Sequence, residues 1–188
     1  MNRNTLTIAL CLFALLVPAT PEAAQAEPGS PAPLGFVIGQ ATYDEVESAL
    51  KQKTRVKPIG TNPYSRGPML RADGDLGLDN LQRAVFIFNP DKRLVAVVLT
   101  FTKQAMDANF GTLYAHLASK YTLVTKRVPF VGNKTARFSQ GDVLIDIESL
   151  HMDFVISIMY RTKAFERVFR DHLQQKQQRQ SEDTRKQF

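Results

Sequence analysis

Four groups of residues have side chains of the kind that do chemistry or make contacts. The first is His151 with Asp153, and with Asp146 and Glu148 a few residues upstream. Imidazole nitrogen and carboxylate oxygen are zinc ligands, but a metal site needs ligands that converge. Asp146 and Glu148 stand at i and i+2 and so share one strand face, with His151 in the turn beyond. The pattern reads first as a polar outer face and a turn histidine, with a metal-dependent protein as an alternative. The second group is Asp73, Asp75 and Asp79, set among Gly74 and Gly77. Calcium loops use oxygen ligands at such spacing, but a third ligand is missing where Gly77 stands and no Glu closes the loop. A Gly/Asp turn is the plainer reading. The third is Tyr64, Arg66, Met69 and Arg71, in a stretch from Gly60 to Asn80 punctuated by glycine and proline. Tyr and Arg anchor interfaces, and long irregular loops carry function. This group is the candidate partner-binding site. The fourth is the histidines themselves: His116, His151 and His172 have no second histidine at i+3 or i+4, so no zinc-helix motif is present. The sequence holds no nucleophile elbow, phosphate loop or dinucleotide fingerprint. No catalytic residue, resident metal or cofactor is assigned.

The N-terminus sets the compartment. Arg3 is followed by an apolar run from Leu6 to Val17, then Pro18, then Ala24-Gln25-Ala26. A positive start, an apolar stretch and an A-x-A site make a secretory signal, cleaved after Ala26. The run is too short for a membrane span of about 20 residues. The chain is therefore expected to be periplasmic or secreted, without a transmembrane segment. Its one cysteine, Cys11, lies in the discarded leader and follows Leu10 rather than a small residue, which argues against lipid attachment. The mature chain then has no thiol and no disulfide, and its stability rests on the core.

Removing residues 1–26 leaves 162 of 188 residues, enough for one domain. The net charge is +6, and Arg161 to Phe188 carries eight basic and four acidic residues, or +4 of it. The basic character thus sits at the C-terminus. Such a tail can touch anionic surfaces weakly, although interspersed acids favour a solvated end. Nucleic acid is excluded as a partner, because Phe165 and Phe169 fall on an apolar stripe rather than between the arginines.

The elements that position these residues follow from periodicity. Residues 27–33 read as a flexible spacer, 34–173 as one domain, and 174–188 as a polar, glutamine-rich tail. Thr42-Tyr43-Asp44-Glu45 is a capping box that starts a helix from Tyr43 to about Lys53. Residues 83–88 and 94–102 flank Asn89-Pro90-Asp91-Lys92 and predict a hairpin with Phe88 opposite Val95, Phe86 opposite Val97 and Ala84 opposite Leu99. Both its faces are apolar, so it is central or covered by another chain, which leaves a homodimer open. A second helix, capped by Asp107 or Asn109, buries Phe110, Leu113 and Leu117. Strands over 121–127, 135–139, 143–149 and 154–160 follow, with Phe138 set opposite Val143 and Ile147 opposite Ile156. A last helix from Thr162 docks through Phe165, Val168, Phe169 and Leu173. The fold class is α+β, in the order α-ββ-α-ββββ-α. About six mainly antiparallel strands carry two to three helices on one face. Two α-then-β units suggest an internal duplication.

Gly35-Phe36-Val37-Ile38-Gly39-Gln40-Ala41-Thr42-Tyr43-Asp44-Glu45-Val46 resembles the opening of small envelope domains of the SmpA/BamE type. It is also similar to the repeats of β-lactamase-inhibitor proteins, which open with spaced glycines, a Thr or Ser cap and an acidic-valine pair. The resemblance spans about a dozen residues and carries over no functional residue. It implies a class of envelope proteins that bind other proteins and catalyse nothing. A non-enzymatic binding or accessory protein of the bacterial envelope is therefore the expected function, with another envelope protein as partner. An inhibitor or immunity-type protein against a periplasmic hydrolase is the alternative, with Tyr64 and Arg66 entering the enzyme's cleft.

Overall fold

The structure is a computed structural model that describes residues 29–105 and 108–187. The leader expected at 1–26 lies outside these residues, as does Asp107. The fold is α+β. After a 3-10 turn at Pro33–Gly35 come α1 (Tyr43–Lys51) and four strands, β1 (Arg55–Thr61), β2 (Pro68–Asp73), β3 (Leu81–Phe88) and β4 (Leu94–Thr102). Then come α2 (Ala108–Ala118) and four more, β5 (Thr122–Arg127), β6 (Lys134–Gln140), β7 (Val143–Ser149) and β8 (Val155–Thr162), before α3 (Lys163–Gln187). The described residues thus hold eight strands, not six, in the order α-ββββ-α-ββββ-α. The two additional strands form a hairpin: β1 precedes the Gly60–Asn80 stretch and only ends in it, while β2 lies within it. β1 contains Pro58 and Gly60, which disguised it, and it lies at a sheet edge, where proline is tolerated.

All eight strands form one antiparallel sheet ordered β1-β2-β3-β4-β8-β7-β6-β5. Each half is a helix followed by a four-stranded meander, and the halves meet where β4 pairs with β8. Both outer strands, β1 and β5, are edges. The architecture therefore repeats the α-then-β unit twice about the β4–β8 seam.

Local chemistry explains the elements. The Thr42 hydroxyl accepts from the Glu45 amide while the Glu45 carboxylate accepts from the Thr42 amide at 2.8 Å, so the capping box forms. Asn109 lies inside the first turn of α2, where its side chain accepts from the Gln104 amide and donates to the Thr102 carbonyl. Thr162 caps α3 by accepting from the Phe165 amide at 3.1 Å. Pro31 and Pro33 are buried and the Pro31 carbonyl accepts from Ile38, so the packed chain begins inside the expected spacer. Gln174 onward, anticipated as a tail, continues α3 to Gln187, with residues 174–182 exposed.

The inner faces are as anticipated, but two registers differ. Phe138 stands opposite Ile145 and Ile147 opposite Ile158, each shifted by two residues. A shift of two keeps every side chain on its face, which is why alternation cannot detect it. In the first hairpin Phe86 does pair with Val97 and Ala84 with Leu99, while a bulge at Val95 brings Phe88 opposite Leu94.

One face of the sheet carries α1 and α2 over a continuous core that includes Leu70, Phe86, Phe88, Phe138, Ile145 and Ile156. The opposite face carries α3, packed on Ile87, Ala96, Val85, Val98 and Met159. The helices thus lie on both faces, not one. The doubly apolar β3–β4 pair requires this, because its second face needs a cover.

Alongside this apolar contact runs a chain of ion pairs. Asp146 accepts two bonds from Arg137, at 2.7 and 2.8 Å, and one from Arg161 at 2.6 Å. Arg161 also donates to Glu166 at 2.5 Å, and Glu166 accepts from Arg170 at 2.7 Å. The network links β6, β7 and β8 to α3. Arg161 is only 3 % exposed and Glu166 only 6 %. Burial works to raise the carboxyl pKa of Asp146 and of Glu166. The guanidiniums outweigh it, Arg137 and Arg161 at Asp146, and Arg161, Arg170 and Arg137 at Glu166, so both sit below their ordinary values of 3.8 and 4.5. A carboxylate held low in the folded state adds stability above its ordinary pKa and loses it as pH falls through the folded value. Glu166→Gln removes one of the two carboxylate partners of buried Arg161, leaving Asp146, and should cost about 2 kcal/mol in denaturant unfolding. The wild-type chain should lose stability on acidification below roughly pH 4, more steeply than the variant, as followed by circular dichroism.

Candidate functional site

The helices do not close the inner face completely. Between α2 and the β2–β3 loop lies a cleft of about 430 Å³. Its floor is the seam itself: Leu99 and Phe101 from β4, Ile158 and Tyr160 from β8. Leu99 and Ile158 are register partners across the seam. One wall is α2, through Leu113 and Leu117; the other is Leu78, Asp79 and Asn80. Gln104, Asn109, Thr112 and His116 add polar groups to the lining.

The helical stripe of α2 explains the opening. Phe110, Leu113 and Leu117 recur at three- and four-residue spacing, and the helix leans toward β6, where Tyr114 meets Phe138 at 5.6 Å between ring centroids. α1 sits over the other half, with Tyr43 against Phe88 at 5.2 Å. The cleft opens over the seam beside α2, with Leu99, Phe101, Ile158 and Tyr160 buried at its base.

The floor is electrically neutral. Burial raises the Tyr160 phenol pKa well above its ordinary value, and the neighbouring Tyr121 raises it further. Burial also raises Tyr121, with its hydrogen bond to Tyr160 working the other way. Both phenols stay protonated across physiological pH. An apolar floor with a few amide and hydroxyl groups around it suits an apolar body with polar ends.

The residues singled out from sequence lie elsewhere. Tyr64 stands in the β1–β2 turn, edge-on to Phe169 at 4.9 Å, to His172 at 5.5 Å and to Phe165 at 6.4 Å. Met69 packs in the same cluster under α3. Arg71 pairs with Asp73 at 2.8 Å. Arg66, at φ 59° in the turn, is the member of the set that stands exposed. The structure thus brings Tyr64 and Met69 together, on α3, and leaves Arg66 apart. Asn62 builds the turn by accepting from the amides of Tyr64 and Ser65, each at 2.9 Å. Gly67 is held close to the β3–β4 turn: a Cβ there would lie 2.1 Å from the Phe88 carbonyl oxygen.

Asp146 is engaged by Arg137 and Arg161, and His151 lies exposed in the β7–β8 turn with its amide on Asn133. Asp75 accepts from the Gly77 amide, as a Gly/Asp turn does. Among the described residues no three histidine or carboxylate side chains gather as a metal-binding set. Sequence reasoning missed the cleft, because it arises from the spacing of α1 and α2 over the seam. The repeated α-then-β pattern was the signal that pointed toward it.

No protein family matches the chain, and no curated protein or solved structure matches it either. Functional inference therefore rests on the chain's own geometry.

Tyr64 belongs to the docking of α3, so Tyr64→Ala should cost about 2 kcal/mol and speed tryptic cleavage within α3. Arg66→Ala should change stability by no more than about 0.5 kcal/mol. Thermal melts and limited proteolysis of the two variants check this.

Proposed function

We propose that this protein is a non-enzymatic binding or accessory module of the bacterial cell envelope, exported by its leader and acting through contacts with another envelope protein. The observation that carries the proposal is the cleft over the β4–β8 seam, with its neutral, apolar floor. Its floor of Leu99, Phe101 and Ile158 can take one or two apolar side chains of a partner. Amides around the lining can hold the partner's backbone, as they do where an apolar segment enters a groove. The titratable groups of this lining are Asp79, His116 and the neutral Tyr160.

The geometry favours the cleft over the β1–β2 turn. An inhibitor acting through Tyr64 needs that side chain free, and here it is committed to α3. A metal-dependent protein built on Asp146 is less favoured still, since two arginines hold both carboxylate oxygens.

A photo-crosslinking residue placed at Thr112, on the exposed side of the cleft, tests the proposal in intact cells of the native host. A discrete adduct with one envelope protein is expected, absent when the same residue replaces Lys57 on the far edge strand. No adduct, or the same adducts from both positions, would contradict it.

A further inference from the structure

Two loops stand side by side at one end of the sheet. Residues 128–133 join β5 to β6, and residues 150–154 join β7 to β8. The first pair of β6 with β7 is Lys134 with Ser149, so the loops leave the sheet together. The His151 amide donates to Asn133 Oδ1 at 2.8 Å and ties them. Phe130 is as exposed as in an extended chain, Met152 is 86 % exposed and Phe154 is 85 % exposed. Val131 and Leu150 are exposed beside them. Single exposed apolar residues are ordinary, but six on two adjoining loops, Val128 included, form a patch that asks for a partner.

Cations flank this patch. Lys126 and Arg127 end β5 and Lys134 begins β6. Lys103 is bonded to the second loop, its amide donating to the Phe154 carbonyl at 2.9 Å and its Nζ to the Leu150 carbonyl at 2.8 Å. Asp153 is the only carboxylate in the sequence of the two loops, and it accepts from the Phe154 amide at 2.8 Å. Glu148 lies just inside β7, while Asp75 and Asp79 are on the β2–β3 loop, at the same end of the sheet but over its other half.

We propose that this end is a peripheral membrane-docking surface, with Phe130, Met152 and Phe154 entering the acyl boundary of an anionic phospholipid bilayer. Lys103, Arg127 and Lys134 then lie at the level of the lipid phosphates. Shape and charge together favour a bilayer over a protein. The apolar side chains are separate fingers on loop tips, not a continuous face, and a fluid medium accepts them without a matching surface. Lysine is depleted in protein interfaces but is attracted to anionic headgroups. Among the described residues no helix is long and apolar enough to cross a membrane, and two weak signals, apolar insertion and cationic attraction, give reversible docking. The β2–β3 loop and Gln104 lie at the same end of the sheet, so docking brings that part of the cleft near the lipid surface.

The sequence has no tryptophan, so a single introduced one reports its own surroundings. The full chain carrying F130W or F154W is mixed with vesicles of phosphatidylglycerol and phosphatidylethanolamine. Emission should shift to the blue and be quenched by brominated acyl chains, and the shift should shrink in high salt and vanish with pure phosphatidylcholine. I59W, on the exposed edge strand β1, should stay unchanged, which separates tip insertion from any other contact of the chain with lipid. The triple variant F130S/M152S/F154S should weaken vesicle binding at least about tenfold with an unaltered thermal melt, since these side chains lie largely in solvent. R127A/K134A, which leaves Lys103 in place to hold the second loop, should weaken the preference for anionic lipid. Unmoved emission in anionic vesicles, or vesicle binding undiminished in the triple serine variant, would overturn the proposal.

Discussion

The pairing of β4 with β8 is the constraint on which the rest of the molecule depends. Each half of the chain is a helix and a meander whose strands pair with sequence neighbours. The halves are joined through seven register pairs, from Ala96 with Arg161 to Thr102 with Val155. This pairing spans some sixty residues of chain and must close a long loop before it gains any contact. Without it, β4 and β8 would both be edge strands with apolar residues exposed on either face. With it, one sheet has a core on its α1/α2 face and a platform for α3 on the other.

The two faces of the seam do different work. On one, Leu99, Phe101, Ile158 and Tyr160 form the buried, neutral floor of the cleft beside α2. On the other, Ala96, Val98 and Met159 receive Phe165 and Phe169, while Arg161 reaches from β8 to Glu166. The breach of two-fold repetition comes from α3, for which the first half has no counterpart. Tyr64 extends the same docking site from the β1–β2 turn. The polar chain from Arg137 to Arg170 fixes the helix at one seat, because a buried carboxylate displaced from its guanidinium is costly, whereas apolar contacts alone tolerate sliding.

The sequence carried some of these features openly and hid others for physical reasons. The capping box of α1 was readable residue by residue, since its bonds are local. The inner faces of β3, β4, β6, β7 and β8 followed from alternation, and the double apolarity of β3–β4 announced a covered central pair. Register was less accessible: period-two alternation returns the same face after a slip of two, so Phe138 was set against Val143 instead of Ile145. β1 was hidden by Pro58 and Gly60, which only an edge strand accommodates. The continuation of the ion-pair chain from Asp146 through Arg161 to Glu166 was hidden, because nothing in a linear pattern says that α3 crosses that face. The candidate set of Tyr64, Arg66, Met69 and Arg71 was chosen by residue type, and burial beneath α3 is a tertiary fact. The cleft likewise depends on where two helices stop short of one another.

Native-state hydrogen exchange tests the central role of the seam most directly. The amides of Val97 to Phe101 and of Ile156 to Tyr160 that bond across it should exchange only through global unfolding. Their opening free energies should then equal the unfolding free energy from denaturant melts. Seam amides that exchange at a lower free energy than those bonded between β2 and β3 or between β6 and β7 would show the two halves parting independently, and would contradict this account.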